Sequence, residues 1–184
     1  MPAKTPCASA LSPEYALLGL LMQRPAHGYE LHQRLCSELG QVWHVSQSQV
    51  YNILSRLEAR GFIVATVQAQ EKLPARRRFR VTPAGCRRFD QWLHTPTGSS
   101  VRAIRVEFIT RLYFAHTPDL ELARDLIDLQ IDTVRTSLGH LQGMLAGLPQ
   151  EQAFNHLGLE LRIRQLTSVL DWLSECRAAL GLDK

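Results

Sequence analysis

Apolar residues fall at helical spacing through most of this chain, and the short stretches where they alternate instead mark strands. Ser12-Pro13 has the form of an N-cap followed by proline at the first helical position. Ala16, Leu17, Leu20 and Leu21 continue that helix, and Pro25 ends it. A second helix opens at His27-Gly28, carries Leu31 and Leu35 on one face and stops near Gly40. A third begins near Ser46 with Val50, Ile53, Leu54 and Leu57 inward, and Gly61 is placed for the left-handed turn that closes it. Phe62 to Val67 reads as a strand and Arg76 to Val81 as its partner, with Phe79 and Val81 on one face and Arg76, Arg78 and Arg80 on the other. The polar stretch 68–75, which contains Pro74, suits the tip of a ribbon. Thr82-Pro83 repeats the cap-and-proline signal and starts a fourth helix through Trp92.

Thr95-Pro96-Thr97-Gly98-Ser99-Ser100 is the best linker candidate. Beyond it the pattern is helical only. Ile104, Phe108 and Leu112 recur every four residues across 101–115, and Thr117-Pro118 is expected to cap the next helix, with Asp119 and Glu121 suiting its dipole. From Ile127 the apolar positions Ile131, Val134, Leu138, Leu141, Leu145 and Leu148 step by four and three, the spacing of a coiled-coil seam. In the last helix Leu159, Leu166, Leu173 and Leu180 recur every seven residues, with Ile163 and Leu170 between them. Leu157, Leu161, Val169 and Trp172 widen that surface beyond one seam, and an apolar excess of this size predicts an interface. It is expected at Leu159, Ile163, Leu166, Leu170 and Leu173. The fold class is therefore mainly α. Residues 1–9 read as a flexible tail, 10–95 as a winged helix-turn-helix, and 96–184 as an all-helical dimerisation domain, with the linker near 95–100.

The charge is divided in the same place. Residues 1–95 hold 12 Lys+Arg against 6 Asp+Glu, a net of +6, whereas residues 96–184 hold 9 against 11, a net of −2. A basic first half calls for a polyanionic partner, and its excess of arginine suits bidentate contacts to phosphate or guanine. The four cysteines are scattered, with no paired or zinc-type spacing, so a disulfide framework is not expected and a reducing cytoplasm is the simplest compartment, here beside the nucleoid. The absence of a long apolar run argues against a membrane span. The seven histidines show no ligand spacing, and no phosphate loop, nucleophile elbow or Cys/His dyad is visible. No metal, cofactor or catalysis is read.

A helix-turn-helix reads DNA with the start of its second helix, here Ser46, Gln47, Ser48, Gln49 and Asn52, whose hydroxyls and amides can donate to and accept from base edges. The alternative for this stretch is a well-capped, solvated helix start. Tyr51 is read either as a phosphate contact or as a ring packed against the wing, and His27 and Tyr29 carry the same ambiguity at a helix start able to hold a phosphate. Arg76, Arg77 and Arg78 are expected to grip the backbone beside the recognition helix. Arg56 and Arg60 are as well suited to local ion pairs as to DNA. For a small aromatic effector the candidate lining residues are Trp92, Phe108, Leu112 and Tyr113, against the plainer reading that they pack in a core.

The residues resemble the PadR family of bacterial transcriptional regulators. The resemblance rests on H-G-Y-E-L at 27–31, on Ser46, Tyr51 and Leu54 at their spacing, on Arg56-Leu57-Glu58 with Gly61-Phe62-Ile63, and on the arginine-rich run from 76 to Gly85. Glu107-Phe108-Ile109-Thr110-Arg111-Leu112 looks like the longer C-terminal domain of one branch. The chain departs from the family at Asn52, where proline is frequent, at Leu73-Pro74-Ala75 in the wing, and at Arg78, where an aromatic is frequent. The resemblance implies a dimeric repressor acting on a pseudo-palindromic operator in double-stranded DNA, in some members released by phenolic acids or multidrug-like aromatics. The rival readings are a ligand-binding sensor and a protein-interaction adaptor that use the winged helix as a scaffold.

Overall fold

The computed structural model describes residues 12–68, 76–116 and 118–182. The chain separates into two units, Met1–Thr95 and Pro96–Lys184. The expected tail at 1–9 and the wing tip around Pro74 lie outside the described residues. No helix among the described residues is long and apolar enough to cross a membrane.

The first unit runs α1 (Glu14–Gln23), β1 (Ala26–His27), α2 (Gly28–Leu39), α3 (Gln47–Ala59), β2 (Ile63–Gln68), β3 (Arg76–Val81) and α4 (Pro83–Leu93). The sequence α1 is apolar at nearly every position from Ala16 to Leu21 because all of these residues are buried; it is the central helix against which α2, α3 and α4 pack. The N-cap is Pro13, one residue later than the proline signal implies, and the Ser12 hydroxyl before it accepts the Glu14 N–H at 3.3 Å. Glu14 is buried at that start and held by Arg88 at 3.2 Å and Arg60 at 3.6 Å. The recognition-helix candidate α3 closes on Gly61, whose φ of 71° is the left-handed conformation that a side chain would strain. Thr82 then locks the turn: its hydroxyl accepts the Gly85 N–H at 3.1 Å and donates to the Gly61 carbonyl at 2.6 Å.

The sheet is antiparallel in the order β1-β3-β2, so the arginine-rich strand lies in the middle. Ile63 faces Val81 and Thr66 faces Arg78 across one ladder, and Ala26 faces Phe79 across the other. The two-residue β1 is an addition to the two strands read from the pattern. It ties the entrance of α2 directly to the wing.

The second unit is helical: α5 (Val101–Ala103), a π-helical segment (Ile104–Phe108), α6 (Ile109–His116), α7 (Leu120–Ala146) and α8 (Ala153–Ala179). The π-helical turn interrupts what the spacing of Ile104, Phe108 and Leu112 predicted as one regular helix. Most of 103–115 is buried, including Glu107 and Arg111, which is only 2% exposed. Arg111 donates to Glu107 Oε1 at 2.7 Å and to the Thr97 hydroxyl at 2.6 Å, so this buried pair also anchors the segment leading out of the linker. α7 is capped by Asp119, whose carboxylate accepts the Leu122 N–H at 3.0 Å, not by Thr117-Pro118; Thr117 itself lies outside the described residues. Ile127, Ile131, Val134 and Leu141 form its buried seam, while Leu148 falls beyond its end.

The residues expected at an interface on α8 have neighbours within the chain. Leu159, Leu166 and Leu173 are buried within the single chain, in the helical pair that α7 and α8 form, and Ile163 and Leu170 are half-buried beside them. A heptad of leucines satisfies an intramolecular partner as well as an intermolecular one, and here the partner is α7. The apolar side chains that α8 leaves open are Phe154, Leu157 and Leu161, exposed by 89%, 61% and 58%.

Candidate nucleic-acid interface

The start of α3 is built by a reciprocal cap. Ser46 Oγ accepts the Gln49 N–H at 3.3 Å, and Gln49 Oε1 accepts the Ser46 N–H at 2.8 Å. Both expected contact residues therefore have a structural task, and Gln49 keeps its amide nitrogen free of that task. Gln47, Ser48 and Asn52 are exposed and make no hydrogen bond within the described chain. With Val50, Ile53, Leu54 and Leu57 buried on the opposite face, these three polar side chains point to solvent along the open side of the helix.

Tyr51 lies with its ring against Gly28 at the start of α2. A Cβ on Gly28 would lie 2.6 Å from the ring, so glycine at the start of α2 is what lets the phenol lie there. The ring nevertheless remains 43% exposed. His27 works as a clip: its Nδ1 donates to the Arg77 carbonyl at 3.0 Å, which fixes the proton on that nitrogen, and its backbone N–H donates to Glu30 at 2.9 Å. Tyr29 is exposed, with its hydroxyl accepting from Gln33 at 2.8 Å.

The wing arginines separate by strand alternation. Arg77 shares the face of buried Phe79: its guanidinium lies 5.3 Å from that ring centroid and meets both carboxylate oxygens of Glu58 on α3, at 2.6 and 2.7 Å. Arg78 points the other way and makes a long 3.4 Å donation to the Pro25 carbonyl. Arg76 opens β3 and pairs with Gln68. Two cations absent from the sequence expectation for DNA contact join this surface. Arg80 is exposed on the strand face of Arg78, and Arg24, beyond the end of α1, lines a shallow groove with Tyr29, Gln47 and Arg78. Arg80 could have been found from alternation alone, whereas nothing in the sequence around Arg24 points across the unit to α3. Arg56 is exposed and makes no ion pair among the described residues, while Arg60 is engaged with Glu14. The surface thus offers amide and hydroxyl groups on a helix, with guanidinium groups on its flanks that make no ion pair among the described residues. This is the combination that reads base edges and holds phosphates.

The four candidate effector residues pack inside their own units. Trp92 stacks on Tyr15 with centroids 4.6 Å apart and planes within 5°. In the second unit Phe108 meets Trp172 edge-on at 6.3 Å, Tyr113 meets Phe114 edge-on at 4.9 Å, and Leu112 is buried.

Two family profiles match the chain: the transcriptional regulator PadR-like family over residues 17–91, and the virulence activator alpha C-terminal family over 104–181. The negative transcriptional regulator PadR of Bacillus subtilis (strain 168) is 31% identical over 92% of this chain and 98% of its own. Among solved structures, Bacillus subtilis PadR in complex with operator DNA is 28% identical over 91% of this chain and 98% of that one, with a TM-score of 0.44. The same protein in complex with p-coumaric acid covers 92% and 98% at 28% identity, with a TM-score of 0.40.

Proposed function

The chain belongs to the PadR-like family of transcriptional regulators, and on that premise we propose that it is a sequence-specific, dimeric repressor of transcription. The observation that carries this reading is the open row of Gln47, Ser48 and Asn52 on α3, flanked by Arg24, Arg78 and Arg80. In the bound state α3 lies in the major groove, its amides meet base edges, and the arginines with Arg76 neutralise flanking phosphates. Tyr51 and Tyr29 add hydroxyls to the same backbone track. Such a protein works where a bacterium keeps its DNA, in the cytoplasm at the nucleoid.

Dimerisation is supported by Phe154, Leu157 and Leu161, three exposed apolar side chains at helical spacing on α8. A two-fold dimer binds half-sites about one helical turn apart, roughly 10 base pairs, or a multiple of that. Repression is supported by the relative at 31% identity, a negative regulator. Release by a small aromatic effector is supported by the same relative's capture with p-coumaric acid. Trp92, Phe108, Leu112 and Tyr113 are the residues proposed to sense it.

The deciding experiment is a mobility-shift titration of the full chain against its own upstream region, with unrelated duplex as competitor and sedimentation of the complex. Discrimination by a dimer supports the reading; equal binding to both duplexes overturns it. Addition of p-coumaric acid to the specific complex tests the effector, and retention of the operator at saturating acid removes that part alone.

A further inference from the structure

Within the second unit, the residues entering α5 and the middles of α7 and α8 enclose a half-open cavity of about 480 Å³. Its floor is apolar, formed by Val101 with the buried side chains of Leu141 and Leu166. Its rim is polar. The hydroxyls of Ser99 and Ser137 are hydrogen-bonded to each other at 2.8 Å, and His140, Arg162 and Gln165 stand around them. None of these last three makes a hydrogen bond or ion pair within the described chain. The neighbouring arginines are engaged elsewhere, Arg164 with Glu160 at 3.7 Å and Arg135 with Asp132 at 3.8 Å. Among the described residues no carboxylate lines the cavity.

We infer that this cavity binds a small organic anion, a carboxylate or phosphate monoester on a short apolar body, anchored by Arg162. An apolar floor under one permanent cation, an imidazole, an amide and a hydroxyl pair is the chemistry such a molecule requires. A guanidinium presents the planar fork that holds either oxyanion through two bonds. The volume lies within the usual range of roughly 300–1,000 Å³ for ligand sites. Phe108, Leu112 and Tyr113 do not line it, so it is separate from the proposed aromatic-effector residues.

The position of the site gives it a consequence that rests on the regulator reading. Ser99 belongs to the segment before α5, and a ligand bridging it to Arg162 on α8 clamps that segment onto the helical pair. DNA binding then responds to the extent that the anion favours one arrangement of the segment over another.

The test titrates the full chain with benzoate and with phenyl phosphate, and with neutral benzyl alcohol as control, by calorimetry at low ionic strength. The expected result is saturable binding of at least one anion in the millimolar range or tighter and none of the alcohol. Arg162→Gln weakens it by roughly tenfold or more, Arg162→Lys by less, and Arg164→Gln leaves it unchanged. Comparison of benzoate with phenyl phosphate assigns the oxyanion. Binding of benzyl alcohol as tight as benzoate, an unchanged affinity in Arg162→Gln, or saturation by neither anion overturns the inference. Operator affinity is measured separately with and without the anion. A bound anion that leaves operator affinity unchanged removes the coupling but not the site, and a chain that binds no operator refutes the regulator reading while the calorimetry still decides the cavity.

Discussion

Replacing Glu58 with glutamine separates two roles for Arg77 that the wing sequence alone cannot distinguish. Arg77 has both carboxylate oxygens of Glu58 within 2.7 Å, lies over the Phe79 ring, and has its carbonyl held by His27. It is a strut joining α3, the start of α2 and β3, and the prediction is that the Glu58 carboxylate holds it from phosphate. The two side chains are 49% and 30% exposed, so solvent screens the pair, and its loss costs stability only about 0.5–1 kcal/mol. The effect on DNA binding runs the other way. A freed Arg77 adds one phosphate contact per protomer, which steepens the slope of log affinity against log salt by about 0.9 for each protomer, or nearly two for a dimer. The gain applies to every sequence, so the ratio of specific to non-specific affinity falls. Fluorescence anisotropy on operator and scrambled duplexes across a salt series reads both quantities, and a thermal melt confirms that the fold is kept. Arg77→Gln serves as the complement: it leaves the native slope unchanged, whereas Arg78→Gln flattens it by about 0.9 per protomer. The reasoning is refuted if Arg77→Gln flattens the slope as much as Arg78→Gln while Glu58→Gln leaves it alone.

Gln47→Ala and Asn52→Ala lose discrimination at particular base pairs, about 1–3 kcal/mol where a bidentate contact is removed; anisotropy against single-base operator variants locates the positions. Arg111→Ala takes the guanidinium away from the buried Glu107 carboxylate and lowers stability by about 3–5 kcal/mol, read by urea unfolding, while Arg111→Met with Glu107→Leu recovers most of it. Phe154→Asp with Leu157→Asp yields a folded monomer in sedimentation, whereas Leu173→Ala, at a fully buried site, costs about 2–5 kcal/mol and acts on folding rather than on assembly. The Cys176 thiol, pushed up to about 11 by burial with the Glu175 carboxylate adding to it, stays protonated in the native chain after the unfolded thiol has ionised near 9.0. Its contribution to stability is therefore complete below that lower value and is lost as pH rises towards about 11. Ellman's reagent should modify it only after urea is added.

The elements of this protein were legible in its sequence wherever the signal is local. Helix caps act over three residues, so Thr82 before Pro83 and the Ser46–Gln49 reciprocal cap mark where α4 and α3 start. Gly61 marks where α3 stops, because the left-handed conformation excludes most other residues. Strand alternation likewise placed Arg78 and Arg80 opposite Phe79. What the sequence could not decide was the partner of each face. Leu159, Leu166 and Leu173 carry the same spacing whether they meet a neighbouring helix or a second copy, and only the packing of α7 on α8 turned them inward and left Phe154, Leu157 and Leu161 outside. Alternation puts Arg77 beside Phe79, but the carboxylate it meets lies 19 residues away on α3, a distance that only the sheet's position against that helix closes. Arg24 reaches the interface for the same reason, through the turn between α1 and β1. The π-helical turn in 104–108 and the Arg111–Glu107 pair beside it are set by the surroundings of a helix buried on nearly every side, where spacing along the chain holds no record of what packs against it.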